Sequence, residues 1–110
     1  MKFLFTYSLL FLIFTAKFSS AATLNPAIII GLKKEHVMTC VPTIKRQTDS
    51  VSPNITISQT QMYCECLSNF YFNDFTTQDL AYLKQNRDLP TRLAANRKSY
   101  QEYCASLHFY

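Results

Sequence analysis

Four cysteines, Cys40, Cys64, Cys66 and Cys104, constrain this 110-residue chain more than any other feature in it. An even number of cysteines in a short chain reads as a disulfide framework, formed where the surroundings are oxidising. Two of the four stand side by side as Cys64-Glu65-Cys66. Residues two apart on a helix point about 200° away from each other, so these two are poor partners for one another. The CxC segment is therefore expected to be stapled to two different neighbours, one through Cys40 and one through Cys104. Spacing leaves the pairings 40–64/66–104 and 40–66/64–104 equally open. The chain holds a single glycine, which excludes phosphate-cradling glycine loops, and its length excludes dinucleotide-binding and (β/α)8 barrel folds.

The first 22 residues differ in kind from the rest. Met1-Lys2 is a short basic start, Phe3 to Ala16 is an apolar run, and Ser20 and Ala22 are small residues at the −3 and −1 positions of a cleavage point. This is the layout of a secretory signal, and the apolar run is too short to span a bilayer core of about 30 Å. The expected organisation is a cleaved signal peptide over 1–22 and a single small disulfide-stapled helical domain over 23–110. Export to a periplasm or the extracellular space follows, with no stable membrane insertion after cleavage. Without Lys2 and Lys17, nine Lys and Arg face seven Asp and Glu. Lys84, Arg87, Arg92, Arg97 and Lys98 gather most of that positive charge into one stretch, with Asp88 among them.

Hydrophobic spacing predicts helices. Asn25-Pro26 offers an N-cap followed by proline in the first turn. Val37, Cys40, Val41 and Ile44 recur at helical spacing, and Pro42 is expected to end or kink that helix near Val41. The polar stretch from Thr43 to Thr56 reads as a loop, with Val51 to Ile57 as its most extended piece. Ser58-Gln59-Thr60-Gln61 resembles a capping box, ahead of Tyr63, Cys66, Leu67 and Phe70 at helical spacing. Thr76 to Asp79 opens a short helix over about Thr77 to Gln85, with Phe75 and Leu80 as a hydrophobic staple. Asp88-Leu89-Pro90 restarts a helix whose apolar face runs through Leu93, Tyr100, Tyr103, Cys104 and Leu107. The fold class is all-α, three to four short helices held by two disulfides.

Chemistry-bearing residues are few. His36 lies four before Cys40 and His108 four after Cys104, a spacing that lets two side chains share a metal ion. His36, Cys40, Cys104 and His108 are thus the alternative metal set, and an oxidising compartment favours disulfides over it. A thiol-redox role for CxC is weakened by Glu65 between the sulfurs, which disfavours a thiolate. Asp74 and Asp79 are more simply a loop acid and a helix N-terminal acid than a catalytic pair, and no G-x-S-x-G or HExxH motif occurs. No enzyme activity and no cofactor are expected. Asn54-Ile55-Thr56 matches the N-glycosylation acceptor pattern. The basic stretch and the aromatic run Phe70-Tyr71-Phe72 are the candidates for a binding surface, with Tyr71, Phe72, Arg92, Arg97 and Lys98 as its residues. The expected partner is another protein and not nucleic acid, since the chain is exported.

The layout Cys40, Tyr63-Cys64-Glu65-Cys66, Thr77-Gln78-Asp79-Leu80, Leu89-Pro90 and Tyr103-Cys104 resembles small exported bacterial proteins with four cysteines and unknown function. The resemblance implies a bacterial exported protein and brings no activity with it. Taken with the residues, it leads to the expectation of a non-enzymatic interaction, inhibitor or immunity-like module. A periplasmic metal-binding or thiol-redox protein is the alternative.

Overall fold

The structure is a computed structural model that describes residues 24–110; the expected signal peptide lies outside the described residues. Within them the chain is all-α, with helices α1 (Pro26–Asp49), α2 (Ile57–Phe72), α3 (Thr77–Asn86), α4 (Thr91–Ala94) and α5 (Arg97–His108), and no strand. The central element is α2, against which both α1 and α5 pack.

The longest helix, α1, starts as its sequence demands. Asn25 Oδ1 accepts a hydrogen bond from the Ala27 N–H at 2.9 Å, and Pro26 fills the first position, where a missing N–H costs nothing. It does not stop at Pro42. The helix continues to Asp49, so the loop expected from Thr43 is shorter and begins after Asp49. Three circumstances offset the proline. Met38, whose carbonyl loses its donor, is exposed, so water can reach that group. The Thr43 hydroxyl donates to the Thr39 carbonyl at 2.9 Å, and the disulfide at Cys40 fastens the helix just before the break point. Along its inner side Ile29, Leu32, Val37, Cys40, Val41 and Ile44 pack on the core, yet none of its residues is fully buried.

A capping box opens α2 two residues earlier than the sequence suggests. Thr56 accepts from the Gln59 N–H at 3.1 Å, and Gln59 Oε1 accepts from the Thr56 N–H at 2.8 Å. Thr56 and Ser58 both carry a hydroxyl with a glutamine three residues on. Thr60 is buried on the inner side of the helix, and the start at Thr56 adds a carbonyl that accepts from its hydroxyl at 3.0 Å. A second box, Thr76 with Asp79, opens α3 where expected. That helix ends on Arg87 with φ 53°, a left-handed residue whose N–H donates to Leu83.

The core holds Leu24, Tyr63, Cys64, Leu67, Tyr71, Phe72, Phe75, Leu93 and Cys104. Cys40 pairs with Cys64, and Cys66 with Cys104, with Cα–Cα distances of 5.9 and 5.8 Å. The CxC helix is thus fastened to α1 on one side and α5 on the other. The C-terminal helix differs from expectation: it breaks at Ala95–Asn96, where the Asn96 N–H reaches only Leu93 and its side chain bonds the Arg92 carbonyl. Leu93 and Cys104 face the core, with Tyr100 half-buried, while Tyr103 and Leu107 lie on the exposed side.

Candidate functional site

The aromatic run divides between core and surface. Tyr71 and Phe72 are 4% and 5% exposed, so neither belongs to a binding surface as expected. Both are enclosed because neighbours cover α2 from several directions. His36 of α1 stands edge-on to the two rings at 5.6 and 5.7 Å, Tyr100 meets Tyr71, and Phe75 meets Phe72 at 5.0 Å. Phe70 is the ring left outside, 38% exposed, stacked on Tyr100 at 4.5 Å with Tyr103 across its edge at 5.5 Å.

The basic residues are less available than their number suggests. Arg92 pairs with the carboxylate of Asp79, the same acid that closes the α3 capping box. Arg97 pairs with Asp88 at 2.9 Å. The Leu89 N–H, and after it Arg97, hold the Asp88 carboxyl below its ordinary value. Lys98 is exposed. The stretch is therefore partly a set of ion pairs, one between α4 and the first turn of α3 and one between α5 and the exposed turn that precedes α4.

The four alternative metal residues do not converge. Cys40 and Cys104 are in different disulfides. His36 Nδ1 lies 2.6 Å from the Ser68 hydroxyl, and His108 lies on a groove between α2 and α5. Among the described residues no group of three or more His, Cys, Asp or Glu could hold a metal ion, and no helix is long and apolar enough to cross a membrane.

What sequence reasoning missed is a face spread over three helices. One groove, of about 490 Å³, runs along α2 beside α5 and is lined by Met62, Glu65, Cys66, Phe70 and His108, among others. A second, of about 440 Å³, lies between α1 and α2 and is lined by Lys34, Val37, Met38, Gln61 and Glu65, among others. Glu65 and Asn69 border both grooves, so the two form one continuous surface. Met38, Met62, Phe70 and Tyr103 stand exposed on it, Met38 at 67%. Helical spacing extends it to Ile30 on α1 and Leu107 on α5, both also exposed. The available signal was the outer line of α2, Met62, Glu65, Asn69 and Asn73, opposite the Tyr63–Leu67–Tyr71 stripe.

His36 makes the α1–α2 junction sensitive to acid. Burial holds its imidazole below the ordinary value of 6.5. The charged groups near it are the Arg97 guanidinium, which shares its cleft, and Lys33, one turn earlier, which donates to Asn73 Oδ1; the Tyr71 phenol also faces it. Above pH 6.5 the histidine is neutral in folded and unfolded chains, and its contribution to stability is complete. Below 6.5 the unfolded chain takes up a proton that the folded chain resists, so stability falls towards the lowered folded value. Denaturant midpoints measured from pH 7.5 downward should fall below about 6.5, and His36→Gln should flatten that dependence.

Comparison with models of known families, with curated proteins and with solved structures finds no match. What the structure defines is a small all-α protein held by two disulfides, which suggest an oxidising, exported location.

Proposed function

We propose that this chain is an exported, non-enzymatic interaction module, periplasmic or secreted, that works by presenting a rigid helical face to another macromolecule. The observation that supports it most is the set of methionine and aromatic side chains left exposed along the α1–α2–α5 face. Exposed apolar residues rimmed by polar ones mark binding surfaces, and methionine adapts to varied partners. Two disulfides hold the three helices in register, which lowers the entropy cost of binding.

Capture of partners from an exported fraction tests the reading. Wild-type protein should retain a specific protein, and Met62→Asp with Phe70→Asp should weaken retention by at least tenfold, about 1.4 kcal/mol or more. Arg92→Glu with Arg97→Glu should have the smaller effect, because both arginines already serve internal pairs. A partner unaffected by the Met62 and Phe70 changes, yet lost with the arginines, would return the function to the basic end.

A further inference from the structure

We propose that the cleft between α1 and α5, floored by α2, is a binding site for a small monocarboxylate with an apolar tail. It is a different place from the exposed face, since its lining shares no residue with either groove described above. The site does not depend on what that face binds. Both α1 and α5 pack on α2, and the space between them has a volume of about 320 Å³, near the lower end for small-molecule sites. Leu67 and Tyr71 of α2, both buried, form the floor, with Ile44 of α1 and Leu89 as further apolar lining.

Three polar groups meet at Tyr71. His36 stands edge-on to its ring at 5.6 Å. The Arg97 guanidinium lies close enough to the phenol to act on it by charge and by a hydrogen bond. In that bond the guanidinium donates and the phenol oxygen accepts, so the Tyr71 O–H remains a donor with no acceptor among the described residues. A buried hydroxyl in that condition calls for an acceptor, and the cleft is where one can enter. Charge and lining then set the class of ligand. No acidic side chain lines the cleft, and Arg97 is its permanent cation. Asp88 holds Arg97 through Nη2 at 2.9 Å, from a side chain 60% exposed. Water screens that pair, and other N–H groups of the guanidinium stay available. The guanidinium fork suits the two oxygens of a carboxylate. A single cation beside a histidine that burial keeps from charging matches one negative charge better than the higher charge of a phosphate monoester. Ile44, Leu67 and Leu89 offer surface for a hydrocarbon tail.

NMR titration of the exported protein with octanoate, acetate and inorganic phosphate tests the proposal, read at the His36 imidazole with His108 as the internal reference. Octanoate should shift the His36 resonances and leave those of His108 in place, with a Kd of the order of 0.1–1 mM for so small a ligand. Acetate, which lacks the tail, and phosphate should each bind at least about tenfold more weakly. Arg97→Gln should weaken octanoate by about tenfold, and Tyr71→Phe, which keeps the ring, by about threefold or more. Asp88→Asn should act in the opposite direction. It removes the carboxylate that competes for Arg97 and keeps the Oδ1 that accepts from the Leu89 N–H. Octanoate should then bind about two- to fivefold more tightly, a gain that a disturbed fold would not produce. His36 resonances indifferent to octanoate at about 10 mM overturn the proposal. So does acetate or phosphate binding as tightly as octanoate, or an affinity unchanged by both Arg97→Gln and Tyr71→Phe.

Discussion

Reduction of both disulfides should abolish the cooperative thermal transition of this protein. The Cys40–Cys64 and Cys66–Cys104 links join residues 24 and 38 apart. Restricting unfolded loops of those lengths is worth about 3.5 and 4 kcal/mol in the chain-entropy account. A small domain has about 5–15 kcal/mol in all, so the two links together make up much of it. Far-UV circular dichroism with and without reductant measures this, and an unchanged midpoint in reductant would show that the core suffices alone. The single-link variants should differ in kind. Cys40→Ala with Cys64→Ala should release α1 first, because that helix buries no residue completely. Hydrogen exchange should then report loss of protection across Pro26–Asp49 before α2 and α5 open. Cys66→Ala with Cys104→Ala should instead loosen α5, leaving the contacts of Tyr100 with Phe70 and Tyr71, of Tyr103 with Phe70, and of Phe109, just past the helix end, with Tyr63 as its aromatic attachments to α2.

Phe75→Ala should be the most damaging change outside the cysteines, at about 3–5 kcal/mol, lowering the melting temperature by about 15–30 °C. Phe75 is 0% exposed and sits at the corner between α2 and α3. Its ring meets Phe72, its N–H donates to the Phe72 carbonyl, and its own carbonyl accepts from the Leu24 N–H at 3.4 Å. The lost ring leaves a cavity that this corner cannot close, since the Thr76 capping box fixes the backbone directly after it. A loss below about 1 kcal/mol would mean that the corner collapses and fills the space.

Local signals carried most of the fold. Asn25-Pro26 and Thr76 to Asp79 are caps whose partners lie within three residues, and they form where the sequence places them. Where two caps competed, as Thr56 and Ser58 did, both offered a hydroxyl with a glutamine three residues on, and the added bond from the buried Thr60 hydroxyl to the Thr56 carbonyl goes with the earlier start. Pro42 shows the same limit: its cost is local, but the hydroxyl of Thr43 and the cross-link at Cys40 outweigh it. The geometry of CxC required two different neighbours, and the three-dimensional arrangement selected which. The candidate surface was the least legible part. Phe72 has the same side chain as Phe70, and Tyr71 is the more polar ring yet is the one buried, so the packing of α1 and α5 on α2 decides which ring remains outside. A face assembled from Met38, Met62 and Tyr103 joins three separate helices, so no window along the chain displays it.

The order of the cross-links along the chain has a bearing on how the protein is made. Cys40 joins the next cysteine and Cys66 the one after that, so the two covalent loops follow one another without overlapping. A chain delivered from its N-terminal end can close the first loop as soon as Cys64 has emerged, while Cys104 is still to come. Cys66 then has a single remaining partner. Cys64 and Cys66 emerge only two residues apart, so order of arrival separates Cys104 from the other three but does not choose between those two. The packing of α1 on α2 has to bring Cys40 to Cys64 before the first loop closes correctly.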